Sequence, residues 1–114
     1  MSNDYSGDDY YCDVALRDTS ALDVVHESEA VLAYHHTRPF WPVHIVVVPK
    51  RHVPSLIDPT GLDQALLAEL LSVVKKVAGS VEASYGAAAV LTNVGDYQDS
   101  KHLHVHVSHG DPLR

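Results

Sequence analysis

At 114 residues and 46% hydrophobic content, the chain is one domain with material for a single packed core. Its formal net charge of −7 excludes a nucleic-acid surface, which needs clustered Lys and Arg to displace counterions, whereas the basic residues here are few and scattered. An anionic ligand must then be small and be met locally by protonated histidines, Lys101 or backbone N–H groups, because the field of the whole chain repels it at long range.

Cys12 is the single cysteine, so an intramolecular disulfide is impossible and a reducing cytoplasm fits. Residues 1–9 are polar and acidic, without the apolar core of a signal peptide, and read as a mobile tail ahead of a domain over 10–114. No apolar run approaches the roughly 20 residues that span a bilayer, so no membrane partner is expected.

Tyr10 to Arg17 suits a short helix. Leu22 to His26 and Val31 to His35 read as two strands of a hairpin about the turn-like Glu27-Ser28-Glu29. Prolines and the bulky pair Phe40-Trp41 keep Thr37 to Pro42 irregular. Val43 to Val48 is then a strand with apolar residues on both faces, hence central, and Pro49 ends it. Thr60-Gly61-Leu62-Asp63 has the character of a capping box, so a helix is expected to begin there. Leu62, Leu66, Leu70, Val73, Val77 and Val81 recur at helical spacing. A second stripe of Leu67, Leu71, Val74 and Ala78 makes the apolar face wider than one sheet contact requires, and the surplus is expected to meet a second copy in a homodimer. Gly86 stops the helix, and Ala88 to Val94 and Lys101 to Ser108 read as two further strands around a polar loop. The order implies an α+β domain: a mainly antiparallel sheet of about five strands with one long and one short helix.

The last of these strands carries the chemistry. In His102-Leu103-His104-Val105-His106-Val107 successive side chains point to opposite faces, so three imidazoles line one face while Leu103, Val105 and Val107 anchor the other. A single His on a strand is commonly a hydrogen-bonded core group; three in strict alternation point to function. Their Cα atoms are about 6.5 to 7 Å apart, a span that fits a phosphate. Each ring titrates near about 6.5 and so serves as nucleophile, proton carrier or metal ligand near neutral pH. His104 in the middle is the natural nucleophile, with His102 and His106 in support, although spacing alone does not assign their roles. His44, polar in an otherwise apolar strand, is the fourth candidate, whereas His52 reads as a loop residue and His26, His35 and His109 receive no role.

The triplet, preceded by His44-Ile45-Val46-Val47-Val48-Pro49-Lys50-Arg51-His52, resembles the histidine-triad (HIT) family of nucleotide hydrolases and transferases, over nearly all of residues 12–114. The resemblance implies a fold of five antiparallel strands and a long helix, paired as a homodimer, and needs no cofactor or metal. The implied reaction is attack by His104 on the α-phosphorus of a nucleotide, giving a nucleotidyl-histidine that water hydrolyses. His106 is implied as the phosphate contact, His102 as the buttress of the nucleophile and His44 as completing the histidine network, with Asn93 and Gln98 as nucleotide-binding positions. The implied ligand is a purine nucleotide or nucleoside phosphoramidate, handled by a Hint-like phosphoramidase or a dinucleoside polyphosphate hydrolase.

Four departures stand out. His36, beside Thr37, occupies the position where the family usually places Asp or Asn against the ribose hydroxyls, and imidazole cannot grip two hydroxyls as a carboxylate does. Asp99 replaces the usual hydroxyl five residues before the nucleophile, although Ser100 is adjacent. The loop from Asn93 to His102 is shorter than in typical adenosine-phosphoramidase members. Cys12-Asp13-Val14-Ala15 lacks the second Cys of a zinc-binding variant found in some relatives, which argues against a structural zinc. Two other readings compete with the enzyme: a non-catalytic nucleotide-binding or interaction protein, and a histidine-cluster metal-binding protein.

Overall fold

The computed structural model describes residues 7, 9–59 and 61–114. Strands β1 (Val24–Glu27), β2 (Val31–His35), β3 (Val43–Pro49), β4 (Ala89–Leu91) and β5 (Val105–His109) form one antiparallel sheet in the order β1-β2-β3-β5-β4. Helices α1 (Tyr10–Asp13) and α2 (Gln64–Tyr85) pack on its opposite faces. The α+β architecture expected from the sequence is the observed one.

β3 is central because both its faces are apolar. Ile45 and Val47 join Val31, Ala33, Val105 and Val107 under α2, while Val46 and Val48 join Leu32 and Tyr34 on the far face, where Tyr11 and Ala15 cover them. The same alternation in β5 sends Val105 and Val107 toward α2 and leaves His106 on the far face. The long helix therefore supplies the core, and the histidines open on the other side of the sheet.

Several boundaries differ from expectation for identifiable reasons. Instead of one helix over Tyr10 to Arg17, α1 stops at Asp13 because Val14 leaves helical geometry (φ −126°, ψ −63°), and a separate 3₁₀ turn covers Ala15–Arg17. The β1–β2 hairpin is present with a bulge between Val24 and His26. α2 starts at Gln64, not at Thr60, which lies outside the described residues. Its N-cap is Asp63, whose carboxylate accepts from Leu66 N–H at 2.8 Å, while the Gly61 N–H is already held by the Asp58 carboxylate. Gly86 caps the far end at φ 92° with its N–H donating to the Glu82 carbonyl at 2.7 Å, a left-handed geometry that suits glycine.

The second stripe on α2 is narrower than its spacing implies: Val74 is buried with Val73 in the core, and of the four only Leu71 is largely exposed, at 51%. The fourth strand shortens to Ala89–Leu91, all exposed at the sheet edge. The fifth begins at Val105, because Leu103 N–H is drawn to the Val53 carbonyl at 2.6 Å and the His104 carbonyl accepts from Thr92 Oγ at 2.7 Å instead of entering the ladder. Asp9, assigned to the tail by composition, is buried and caps α1 through Cys12 N–H at 2.9 Å. Among the described residues no helix is long and apolar enough to cross a membrane.

Leu70 on α2 is 1% exposed at the centre of the main cluster. Leu70→Ala should lower unfolding free energy by about 2 to 5 kcal/mol, from lost transfer energy plus the cavity left behind. Urea denaturation checks this, and a loss below ~1 kcal/mol would mean that α2 does not pack on the sheet as described.

Candidate active site

A cavity of about 680 Å³ opens on the sheet face opposite α2. His36, His44, His104 and His106 line it, with Tyr11 of α1 on one wall. β3 and β5 deliver the pair at its floor: Val46 stands opposite His106 and His44 opposite Ser108, so His44 and His106 are diagonal neighbours on one face. His36 follows β2, and its N–H donates to the His44 carbonyl at 2.8 Å, which stacks the two rings at 4.3 Å with 16° between their planes.

The hydrogen bonds set the proton on each ring. Phe40 N–H donates to His44 Nδ1 at 3.0 Å, so the proton of neutral His44 sits on Nε2 and is donated to His106 Nδ1 at 2.8 Å. His106 therefore carries its own proton on Nε2. His104 is the opposite: its Nδ1–H donates to the His102 carbonyl at 2.6 Å, leaving a lone pair on Nε2. Burial pushes the pKa values of His36, His44 and His106 down to about 4, 3 and 4, and repulsion from neighbouring imidazoles adds to it. Burial likewise lowers His104, against the bond to the His102 carbonyl, which raises it. At neutral pH the cavity presents four uncharged rings, one an acceptor at Nε2 and another a donor there.

Of the residues singled out in the sequence, His44, His104, His106, His36, Thr37, Asn93 and Asp99 line the cavity. Gln98 does not: it is buried, and its amide donates to the Pro54 carbonyl at 2.5 Å. The three triad imidazoles do not line one face either. His102 is fully buried away from the cavity, since the chain joins β5 only at Val105, and it touches the site through the carbonyl that holds His104. Ser100, adjacent to Asp99, is buried at the cavity wall, where its Oγ accepts from Tyr10 N–H at 3.1 Å. Arg38, Trp41 and Arg114 also line the cavity and carry no sequence signal of their own. Arg114 reaches back to the Arg38 carbonyl at 3.3 Å, 76 residues away in the chain, and lies 5.7 Å from the Phe40 ring.

A family model described as the HIT domain matches residues 18–112. An uncharacterized HIT-like protein of Synechococcus elongatus is 35% identical over 99 residues, which cover 86% of this chain and 87% of that protein. The chain belongs to the HIT family. Among solved structures, a HIT family hydrolase from Legionella pneumophila is similar with a TM-score of 0.75 and 28% identity, over 93% of this chain and 96% of that one. A histidine triad protein from Clostridium difficile aligns with a TM-score of 0.74 and 30% identity, over 96% of each chain. The HIT match begins after α1, so Asp9 and Cys12 precede it.

Those two residues meet His52 and His102 in a second cluster, in which one ligand atom from each lies within 4.8 Å of the others. The fold brings a carboxylate and two imidazoles to the single thiol. Burial opposes ionisation of Asp9, but the Cys12 N–H and His102 outweigh it and hold the carboxyl below its usual range. Burial and the Asp9 carboxylate push the Cys12 thiol up to about 11. The donor set of one sulfur, one carboxylate and two imidazoles fits zinc.

The depressed cavity histidines couple stability to pH. The unfolded chain takes up their protons near about 6.5, while folded His36, His44 and His106 resist until about 3 to 4, so the unfolded state binds more protons between these values. Their contribution is complete above about pH 6.5 and is lost as pH falls toward 4. Urea midpoints should fall over that interval, and less steeply for His36→Asn; identical slopes for the two proteins would contradict the burial of a neutral His36.

Proposed function

We propose that the protein is a nucleotide hydrolase or transferase acting at the α-phosphorus of a nucleoside phosphoramidate or phosphoanhydride, through a covalent nucleotidyl-His104. The observation that carries this reading is the opposed tautomers of His104 and His106, two neutral rings in one cavity. The His104 Nε2 lone pair is the nucleophile, and the His106 Nε2–H donates to a phosphoryl oxygen whose charge grows as phosphorus becomes five-coordinate. A P–N bond to His104 forms while the P–N or P–O bond to the leaving group breaks, the leaving group taking up a proton from solvent as it departs. Water then attacks phosphorus and returns a proton to solvent, the bond to His104 breaks, and a nucleoside monophosphate is released. The His102 carbonyl holds the Nδ1 proton of His104 and stabilises the cationic ring of the intermediate, which supports the buttressing role. The family membership and the HIT family hydrolase from Legionella pneumophila support hydrolysis. A histidine triad nucleotide-binding protein from Sulfolobus tokodaii, 29% identical with a TM-score of 0.71, supports a nucleotide as ligand.

His104→Ala should keep the fold, because Leu103 and Val105 anchor the strand from the other side. It should reduce hydrolysis of an adenosine phosphoramidate by ~10³-fold or more. Acid-free quenching and intact-mass measurement should show a nucleotidyl adduct on the wild type alone. Unchanged turnover, or an adduct on His104→Ala, would remove His104 as nucleophile.

The same reading includes a homodimer. β4 is a sheet edge whose Val90 and Leu91 are 51% and 43% exposed, and pairing it with a second copy would cover both the apolar side chains and the open backbone rim. Light scattering at micromolar concentration should report twice the chain mass, and Val90→Lys should give a monomer. A wild-type monomer at that concentration would end the proposal.

A further inference from the structure

Of the 8 basic side chains of the sequence, Arg38 and Arg114 come to one cavity, and the reaction proposed above uses neither. We propose that their guanidinium groups, with the Nε2–H of His36, form a subsite for a second phosphate group of the ligand, beside the phosphate that His106 contacts. The inference rests on reading the cavity as a nucleotide site and narrows its substrate class. A nucleotide carrying two phosphates is selected over a nucleoside monophosphate or a phosphoramidate with an uncharged leaving group.

The convergence of charge carries the argument. Leu113 N–H donates to the Phe40 carbonyl at 2.8 Å, which lays the residues after β5 along the loop after β2. Arg114 then donates to the Arg38 carbonyl at 3.3 Å and stands 5.7 Å from the Phe40 ring. Elsewhere Lys50 and Arg51 are paired with Glu27 and Asp63, and Lys101 donates to two backbone carbonyls. Among the described residues no carboxylate pairs with either cavity arginine. In a sequence with 15 acidic and 8 basic residues, two such arginines at one cavity are not the by-product of a basic surface. Like charges brought together repel, and an anion between them turns that repulsion into attraction.

His36 extends the set. Its Nδ1 accepts the Arg38 N–H at 3.0 Å, so the neutral ring carries its proton on Nε2 and offers the cavity a donor. Its ring centroid lies 6.1 Å from that of His106, which puts the second anion next to the first and within one ligand. A carboxylate at this position would repel such a group; the imidazole admits it.

The fields within the cavity divide the same way. Burial and the neighbouring His104 hold the His36 pKa down at about 4, and the Arg114 and Arg38 charges add to them. Arg114 also adds to the burial and the imidazole repulsion that lower His44. The Asp99 carboxylate acts elsewhere: it opposes the burial that lowers His104, and it adds to the burial that raises Tyr11. The cavity is thus cationic at its His36 end and anionic near Asp99.

Phosphate suits the cationic end. A guanidinium presents parallel N–H donors in a planar fork that matches phosphate oxygens, and a phosphomonoester brings a charge of about −1.5 to −2 near neutral pH. The second phosphate can be joined to the first as a phosphoanhydride or esterified to the sugar, and both present the same anion to the two arginines.

Calorimetric titration of the purified full-length protein with AMP, α,β-methylene ADP and adenosine 3′,5′-bisphosphate tests the subsite and separates the two sources, the methylene bridge resisting cleavage. At least one of the doubly phosphorylated ligands should bind ~10-fold or more tightly than AMP, and the preference should shrink as salt is raised. A gain for the ADP analogue places the second phosphate on the leaving group, and a gain for the bisphosphate places it on the sugar. Arg38→Met and Arg114→Met should each lower the preference, the double variant should remove it while AMP still binds, and Arg38→Lys should retain part of it. Both side chains are exposed, so the variants should fold, which circular dichroism checks. AMP binding without a gain for either doubly phosphorylated ligand, or a gain that survives in the double variant, would overturn the subsite and leave the nucleotide reading standing. Failure of all three ligands to bind would overturn both.

Discussion

The antiparallel register of β3 against β5 is the constraint on which the rest depends. With Val46 opposite His106 and Val47 opposite Val105, every apolar residue of β5 faces α2 and every histidine of the cavity floor faces away. A slip of one residue would turn His106 into the core and expose Val105 and Val107. Ile45, Val46, Val47 and Val48 are each 5% exposed or less, so burial of this strand on both sides pins the register and, with it, the placement of the site.

On that frame the protein sets protonation through backbone groups. One imidazole bonds a carbonyl and another, at the end of a relay, is fed by an amide, so two chemically identical side chains acquire opposite functions at Nε2. Burial keeps both neutral, which preserves a nucleophilic lone pair. The cost is that any anion entering the cavity meets no standing imidazolium in a chain of net charge −7. Arg38 and Arg114, on the cavity lining, supply local positive charge where the overall field is repulsive.

The sheet, the long helix and most of the cavity were legible in the sequence because they follow from periodicity. Alternation placed His104 and His106 opposite Val105 and Val107, and His44 was marked by its polarity in an apolar strand. What was not legible lies where side chains compete with the ladder. Nothing in the alternation of His102 with its neighbours reveals that Val53 takes the Leu103 N–H and keeps His102 out of the strand. Gln98 and Ser100 are both polar loop residues, and only the bonds to Pro54 and Tyr10 separate the one that leaves the cavity from the one that borders it. Arg114 joins the wall through contacts that cross nearly the whole chain, beyond any local pattern.

Asp9 and His52 show the same limit from the other side. Composition assigned one to a tail and the other to a loop, yet both are held by His102, the triad member that the cavity excludes. A first histidine turned away from the cavity acts by linkage. Its Nε2 bonds the end of β3, its Nδ1 faces the residues around α1, and its carbonyl orients the neighbouring His104 ring. Three parts of the chain that share no sequence pattern thus meet at one buried ring, and movement of any of them displaces the carbonyl that keeps the His104 lone pair on the cavity side.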